Sequence, residues 1–202
     1  MNRRNYQKEM EKILAEEESA GSVPRLLLHS CCAPCSSYVL EYLSGHFRIL
    51  DYFYNPNISP EEEYRKRAVE LKRLISEMPH KYPVEFLEGP YEPEKFREIA
   101  RGLENAPEGG ERCTKCFELR LREAAEQARR HDCDYFTTTL SISPLKDAER
   151  LNSIGEMLAE EYGVKYLPSD FKKRDGYKRS IELSREYGLY RQDFCGCVYS
   201  RR

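Results

Sequence analysis

The chain has 202 residues, with 33 basic and 35 acidic side chains, a net charge of −2 and a mean hydropathy of −0.78. Its longest aliphatic run, Leu26-Leu27-Leu28, is far shorter than the roughly 20 apolar residues of a membrane-spanning helix. The first twenty residues contain no apolar segment of the kind found in a secretory signal. We therefore expect one large domain, 1–202, in a cytoplasmic protein that does not associate with membranes.

The predicted elements alternate between helix and strand. An amphipathic helix at about 6–19 precedes a strand at 25–29, a helix at 36–43, a strand at 47–54, a helix at 60–78, a strand at 84–87 and a helix at 93–103. A helix at 114–130 is followed by a strand at 134–140, a helix at 147–162, a strand at 164–167, a helix at 176–187 and an irregular cysteine-bearing tail at about 189–202. This alternation predicts an α/β fold, with a parallel sheet of about five strands and helices on both faces.

Four of the predicted strands are followed by polar or reactive sequence, namely HSCCAPC, YNPN, LSISP and PSDFKK. Ligands of open α/β sheets bind beyond the carboxyl ends of the strands, so we expect the functional site at this edge. Cys133 precedes its strand and should lie at the opposite edge, as a structural residue. The chain has no glycine-rich phosphate-binding motif, which argues against a nucleotide as the obvious occupant.

Seven of the eight cysteines fall into three tight groups. The groups are Cys31, Cys32 and Cys35; Cys113 and Cys116; and Cys195 and Cys197. Structural disulfides are not expected in a reducing cytoplasm, and structural zinc takes only four ligands. Seven thiolates suit one [4Fe–4S] cluster, which takes four, together with a second metal ion that takes three.

Other polar residues near the predicted strand ends could complete such a site. Asp170 follows the fifth strand and could be the fourth ligand of the second ion, although it could equally cap a helix or pair with Lys172 and Lys173. Asp193 is the next candidate carboxylate. His29 ends the first strand and could act as an acid, but a lone strand histidine is more often a satisfied core residue.

The motifs LLLHSCCAPCS, FYNPNI, RCTKCFELRL, FTTTLSISP, DFKKRDGYKRSIELS and YGLYRQDFCGCVYS together resemble the QueH-type epoxyqueuosine reductases. These are cobalamin-independent enzymes of tRNA queuosine synthesis. The resemblance implies a Rossmann-like, adenine-nucleotide-hydrolase-like fold and reduction of epoxyqueuosine to queuosine on tRNA, the final step of the synthesis. It also implies a [4Fe–4S] cluster beside a second metal ion, iron or zinc, held by cysteines and an aspartate.

The ligands can be divided between the two centres because adjacent residues in a turn point in different directions. We expect Cys31 and Cys32 to serve different metals. The predicted cluster ligands are Cys32, Cys113, Cys116 and Cys195, and the predicted ligands of the second ion are Cys31, Cys35, Cys197 and Asp170.

Removal of an epoxide oxygen as water needs two electrons and two protons. A cluster supplies one electron at a time, so an external electron donor must recharge it. The second ion could bind the epoxide oxygen as a Lewis acid, and Asp170, His29 or Tyr54 could deliver a proton.

Three other functions fit parts of the sequence. A thiol–disulfide oxidoreductase could use Cys32 and Cys35, but this function leaves the later cysteine groups idle. A zinc-stabilised tRNA-binding module would use the cysteines for structure alone. A sulfur-transfer enzyme acting on tRNA would need an ATP-binding loop, which the sequence lacks.

Overall fold

The computed structural model describes residues 4–200, and its elements follow the predicted order. The first half contains α1 (Tyr6–Ser19), β1 (Arg25–Ser30), α2 (Ala33–Leu43), β2 (Arg48–Phe53), α3 (Glu61–Glu77), β3 (Val84–Glu88) and α4 (Pro93–Ala100). The second half contains α5 (Glu111–Arg130), β4 (Tyr135–Thr138), α6 (Ala148–Tyr162), β5 (Lys165–Tyr166) and α7 (Gly176–Glu186). Residues 201–202 of the predicted tail lie outside the described part of the chain.

The five strands form one sheet in the order β3-β2-β1-β4-β5, and every pair is parallel. At the centre, Leu27 of β1 aligns with Leu50 on one side and Phe136 on the other. This arrangement confirms the α/β prediction. The strand order reverses between β1 and β4, which is where open sheets of this kind bind their ligands.

Helices cover both faces of the sheet, as predicted. Alternate strand residues point to opposite faces, so Leu26 and Leu28 pack with α1, α2 and α3, while Leu27 packs with α5 and α6. α7 lies against α2 on the first face. Among the described residues, no helix is long and apolar enough to cross a membrane.

Three boundaries differ from the sequence prediction in ways that bear on the site. α2 begins at Ala33 rather than Ser36, because Pro34 suits the first turn of a helix. α5 begins at Glu111 rather than Thr114. β4 ends at Thr138, where the side-chain oxygen accepts a hydrogen bond from the Leu140 N–H and the chain enters a short 3₁₀ turn.

Candidate metal centre

The first cysteine group lies where β1 ends and α2 begins. The sulfurs of Cys31, Cys32 and Cys35, the sulfur triad, all lie within 4.8 Å of one another, and those of Cys31 and Cys32 are 3.8 Å apart. Sulfurs bound to one tetrahedral ion at 2.3 Å are about 3.8 Å apart. The spacing of the triad therefore fits three ligands of a single metal ion.

Hydrogen bonding makes the first proton of the triad easy to remove. The thiols of Cys32 and Cys35 donate to Cys31 and hold its pKa well below the usual value, and the opposing effect of burial is smaller. The same hydrogen bond to Cys31, together with burial, raises the pKa of Cys32 to about 12. A bound cation would favour loss of the remaining protons, because cysteines bind metal as thiolates.

The other four grouped cysteines, which we call together the second cysteine group, surround a cavity beside the triad. Cys113 and Cys116 lie in the first two turns of α5, and Cys195 and Cys197 reach the same space from the tail. We call this space the cysteine cavity. Among the described residues, no three of these four sulfurs approach within the distance that defines the triad. Wider spacing suits a cluster, in which each ligand binds a different iron.

Contacts with the start of α3 fix the tail in place. The Arg67 guanidinium, which is buried and paired with Glu63 at 2.6 Å, donates to the Cys195 carbonyl at 3.1 Å. Gly196 has a φ of +110°, and a Cβ there would lie 2.9 Å from the Cγ1 of Ile58. Only glycine suits this conformation and this close approach, so Gly196 allows both flanking thiols to reach the cavity.

Arg120 places a buried positive charge between the two cysteine groups. It is 1% exposed and lies one helical turn after Cys116 on α5. Its guanidinium donates to the side-chain oxygen of Asn55, and the Nδ2 amide of Asn55 donates to the Ser30 carbonyl at 2.9 Å. Within residues 4–200 it has no carboxylate partner.

Cysteine sulfurs are the groups that favour the charge on this side chain. Burial opposes the charge on Arg120, but Cys116, Cys31 and Cys195 outweigh burial and raise its pKa. Burial also acts to lower the pKa of Lys146, but the interactions with Cys195, Cys31 and Cys35 are stronger and raise it. An isolated buried cation costs several kcal/mol, so these two cations favour a negatively charged sulfur site.

Arg120 and Lys146 are site residues that the sequence patterns did not predict. Arg120 follows Cys116 by four residues, which places both on one helix face, so this spacing was a usable signal. Lys146 follows the turn after β4, and no sequence pattern distinguishes it from other lysines.

His29, a predicted proton donor, has no free ring nitrogen. Its ring is completely buried, Nε2 donates to the Tyr54 carbonyl at 3.1 Å, and Nδ1 accepts from the Thr138 hydroxyl at 2.8 Å. Burial, aided by Arg120, lowers the pKa of His29 to about 3, so the ring is neutral at neutral pH. This environment is that of a structural histidine joining β1, β2 and β4.

Tyr54 and Asp170, the other two predicted donors, lie in different surroundings. The Tyr54 hydroxyl donates to Glu92 at 3.1 Å, and burial raises its pKa. Asp170 pairs with Lys172 at 2.9 Å and lines a further cavity that adjoins the cysteine cavity. Asp170 is thus the only one of the three predicted donors that the structure places against a described cavity.

The structure brings the cysteines together as three and four rather than as the predicted division. Cys32 lies with Cys31 and Cys35, whereas Cys197 lines the cavity of Cys113, Cys116 and Cys195. Asp170 is not part of the sulfur triad. Cys133 lies just before β4, at the amino edge of the sheet, as expected.

Comparison with known proteins gives one consistent result. Residues 26–202 match the family model described as epoxyqueuosine reductase QueH. A protein named epoxyqueuosine reductase QueH from Staphylococcus epidermidis is 46% identical over 97% of this chain and 84% of its own length. Proteins with the same name from Streptococcus pyogenes and Thermotoga maritima are 44% and 34% identical, over 98% and 87% of this chain and 78% and 89% of their own lengths. The chain belongs to the epoxyqueuosine reductase QueH family.

Proposed function

We propose that this protein reduces the epoxide of epoxyqueuosine to the alkene of queuosine in tRNA. Its family places it among the oxidoreductases. The observation that carries the proposal is the gathering of seven cysteines around two buried or half-buried cations, at the edge of the sheet where ligands bind. Such a site is suited to hold electrons on metal–sulfur centres.

The spacing of the sulfurs supports a division of ligands that differs from the one expected from the sequence. Cys113, Cys116, Cys195 and Cys197 would hold a [4Fe–4S] cluster, because four separated thiols surround one cavity. The triad of Cys31, Cys32 and Cys35 would hold a single iron or zinc ion with one position left open. The alternative division, with Cys32 on the cluster and Asp170 on the ion, predicts loss of the ion in Asp170→Ala.

The metal centres would supply electrons and polarise the epoxide oxygen. The chain itself would supply charge, protons and shelter from water. Arg120 and Lys146 would balance the negative charge of the thiolates, and Asp170, which is paired as a carboxylate with Lys172, would pass a proton from that ammonium to the departing oxygen. Phe96, Phe117 and Tyr199 line the cysteine cavity and would limit the entry of water. Two electrons from an external donor and two protons convert the epoxide to an alkene and water.

Turnover is the direct test of this function. Anaerobically reconstituted protein, a low-potential reductant and tRNA carrying epoxyqueuosine should yield queuosine, measured by mass spectrometry of the nucleosides after digestion. The Cys116→Ser variant should show at least a hundredfold slower conversion, because it removes a cluster ligand. Absence of queuosine with wild-type protein that carries iron and sulfide would contradict the proposal. Tight tRNA binding without conversion would then favour a zinc-stabilised RNA-binding module.

A further inference from the structure

Thr139 is a completely buried side chain that follows β4 and lies next to the sulfur triad. It begins the 3₁₀ turn directly after Thr138, the residue that aligns with His29 of β1 in the sheet. This register carries the chain after β4 past the end of β1, where Cys31 lies. Thr139 therefore reaches the triad from a strand that supplies none of its sulfurs.

The hydroxyl of Thr139 has a single hydrogen-bond partner. Its Oγ1 lies 3.7 Å from the sulfur of Cys31, and within residues 4–200 no other group accepts its proton. Sulfur is a larger and weaker acceptor than oxygen, so hydrogen bonds to sulfur are longer than those to a carbonyl. Because a fully buried hydroxyl without a partner is costly, the proton of Thr139 points at Cys31.

The two preceding threonines bind the scaffold instead. The Thr137 hydroxyl donates to the Leu167 carbonyl at 2.8 Å, and the Thr138 hydroxyl contacts the His29 ring at 2.8 Å. All three side chains are completely buried, but only Thr139 among them contacts a candidate metal ligand. Its contact is therefore not a general property of this segment.

Metal binding would make Thr139 more important to Cys31. In the structure the thiols of Cys32 and Cys35 also donate to Cys31. These two donors disappear when a metal ion displaces their protons, since cysteines bind metal as thiolates. The hydroxyl of Thr139 keeps its proton. Among the side chains of residues 4–200, it is then the remaining hydrogen-bond donor to the Cys31 sulfur.

The three sulfurs of the triad are therefore unequal. In the described part of the chain, no hydroxyl donates to the sulfur of Cys32 or Cys35. A hydrogen bond withdraws electron density from a thiolate, so Cys31 would give less charge to a bound ion than the other two cysteines. Hydrogen-bond partners outside the set of ligands orient those ligands and tune the metal.

We propose that Thr139 is a positioning residue for the metal ion of the triad, because its hydroxyl fixes the direction of the Cys31 sulfur and lowers the charge that this sulfur donates. The ion would thereby remain a stronger Lewis acid for the epoxide oxygen. This inference rests on the proposed function, in the part that assigns a single ion to Cys31, Cys32 and Cys35.

The test measures binding of Co²⁺ to the triad. Co²⁺ is the probe because its thiolate-to-metal charge-transfer absorption reports the donor strength of the bound sulfurs. The full chain carries Cys116→Ser and Cys195→Ser, so that the second cysteine group cannot supply four thiolates, and this parent protein is titrated anaerobically at fixed pH. Further substitution of Cys35→Ser should abolish tight binding, which identifies the triad as the source of the signal.

Thr139→Val replaces the hydroxyl by a methyl group of similar size. We expect the charge-transfer band to move to longer wavelength, because a thiolate without this hydrogen bond holds its electrons less tightly. The dissociation constant for Co²⁺ should rise about tenfold. Thr139→Ala should behave in the same way, whereas Thr139→Ser keeps the hydroxyl and should restore both values.

Thr137→Val is the matched control. It removes an equally buried hydroxyl that donates to a carbonyl rather than to sulfur, so the band should stay in place and the dissociation constant should stay within twofold of the parent value. An equal change in Thr137→Val and Thr139→Val would overturn the inference, since it would trace the effect to altered packing.

Three other results would also overturn it. They are absence of cobalt binding by the intact triad, binding that persists in Cys35→Ser, and parental band position and affinity in both Thr139→Val and Thr139→Ala. Turnover by the wild-type protein keeps the proposed function separate. Without turnover that function fails, whereas turnover together with unaltered cobalt binding in the Thr139 variants refutes this inference alone.

Discussion

Asp51 is a buried carboxyl group in the middle of β2. It is fully inaccessible to solvent, accepts a hydrogen bond from the Ser30 hydroxyl at 2.7 Å, and has no partner for its second oxygen. Burial is the main cause that raises its pKa to about 8. The folded protein therefore holds this proton at neutral pH, whereas the unfolded chain releases it near pH 4.

This difference predicts a pH dependence of stability. Between about pH 4 and pH 8 the folded state binds one more proton at Asp51, so stability falls as the pH rises and levels off above the folded pKa. Asp51→Asn removes this contribution. The free energy of unfolding of the metal-free proteins is measured by urea denaturation between pH 5 and 7. As the pH rises, the wild-type value should fall more steeply than the variant value, by about 1.4 kcal/mol for each pH unit. Parallel pH profiles would contradict the assigned pKa.

At the residue scale, the sequence indicated which side chains could take part in the chemistry, but it did not indicate their surroundings. The spacing of the cysteines identified seven candidate ligands, since thiols close in sequence and at strand ends point to metal. The same pattern could not show that His29 is buried between Thr138 and the Tyr54 carbonyl. Hydrogen bonds between distant segments are set by packing, which a local pattern does not contain.

Arg120 links three elements through one chain of hydrogen bonds. It extends from α5 to Asn55 after β2, and Asn55 extends to the end of β1 next to Cys31. The relative position of the two cysteine groups thus depends on Arg120. We expect its charge to be balanced more completely once bound metal has converted the thiols to thiolates.

This arrangement predicts opposite effects of Arg120→Met on the two forms of the protein. The metal-free variant should be as stable as wild type or more so, because an incompletely balanced buried charge is gone. Bound metal should stabilise the variant against unfolding less than it stabilises wild type. Differential scanning calorimetry measures the difference in melting temperature between metal-loaded and metal-free protein. In the variant this difference should be smaller than in wild type by about 5 °C or more, which corresponds to about 2 kcal/mol.

Arg120→Lys is the matched control, because it keeps the charge and loses the fork of donors. It should preserve most of the gap between the melting temperatures. An unaltered gap in Arg120→Met would show that the guanidinium does not interact with the metal-loaded site.

At the element scale, the order of helices and strands could be predicted because each has its own hydrophobic period and turn residues. The boundaries at α2 and α5 were placed three residues late, since cysteines give little sign of helix or loop. That error matters, because Cys35 and Cys113 lie on helices rather than in flexible loops. A helix fixes the direction of a side chain more firmly, which favours a preformed site.

At the scale of the whole molecule, the sequence predicted a parallel sheet but not the order of its strands. The return from β3 across the sheet to β4, by way of α4 and α5, brings Cys113 at the start of α5 to the face of the sheet that holds Cys31 and Cys32. Alternation of helix and strand is compatible with several strand orders. The sequence therefore indicated that the cysteine groups meet at one edge, but it could not show which strands bring them together.

The central claim is that the two cysteine groups hold separate metal–sulfur centres. The most direct measurement is the iron and acid-labile sulfide content, with the visible spectrum, of anaerobically reconstituted protein. Wild type should carry about four sulfides per chain, and Cys133→Ser should match it, because Cys133 lies at the opposite edge. Cys116→Ser should lose sulfide, whereas Cys35→Ser should keep the sulfide and lose one metal ion. Wild type without labile sulfide, or equal losses in Cys133→Ser and Cys116→Ser, would contradict the account.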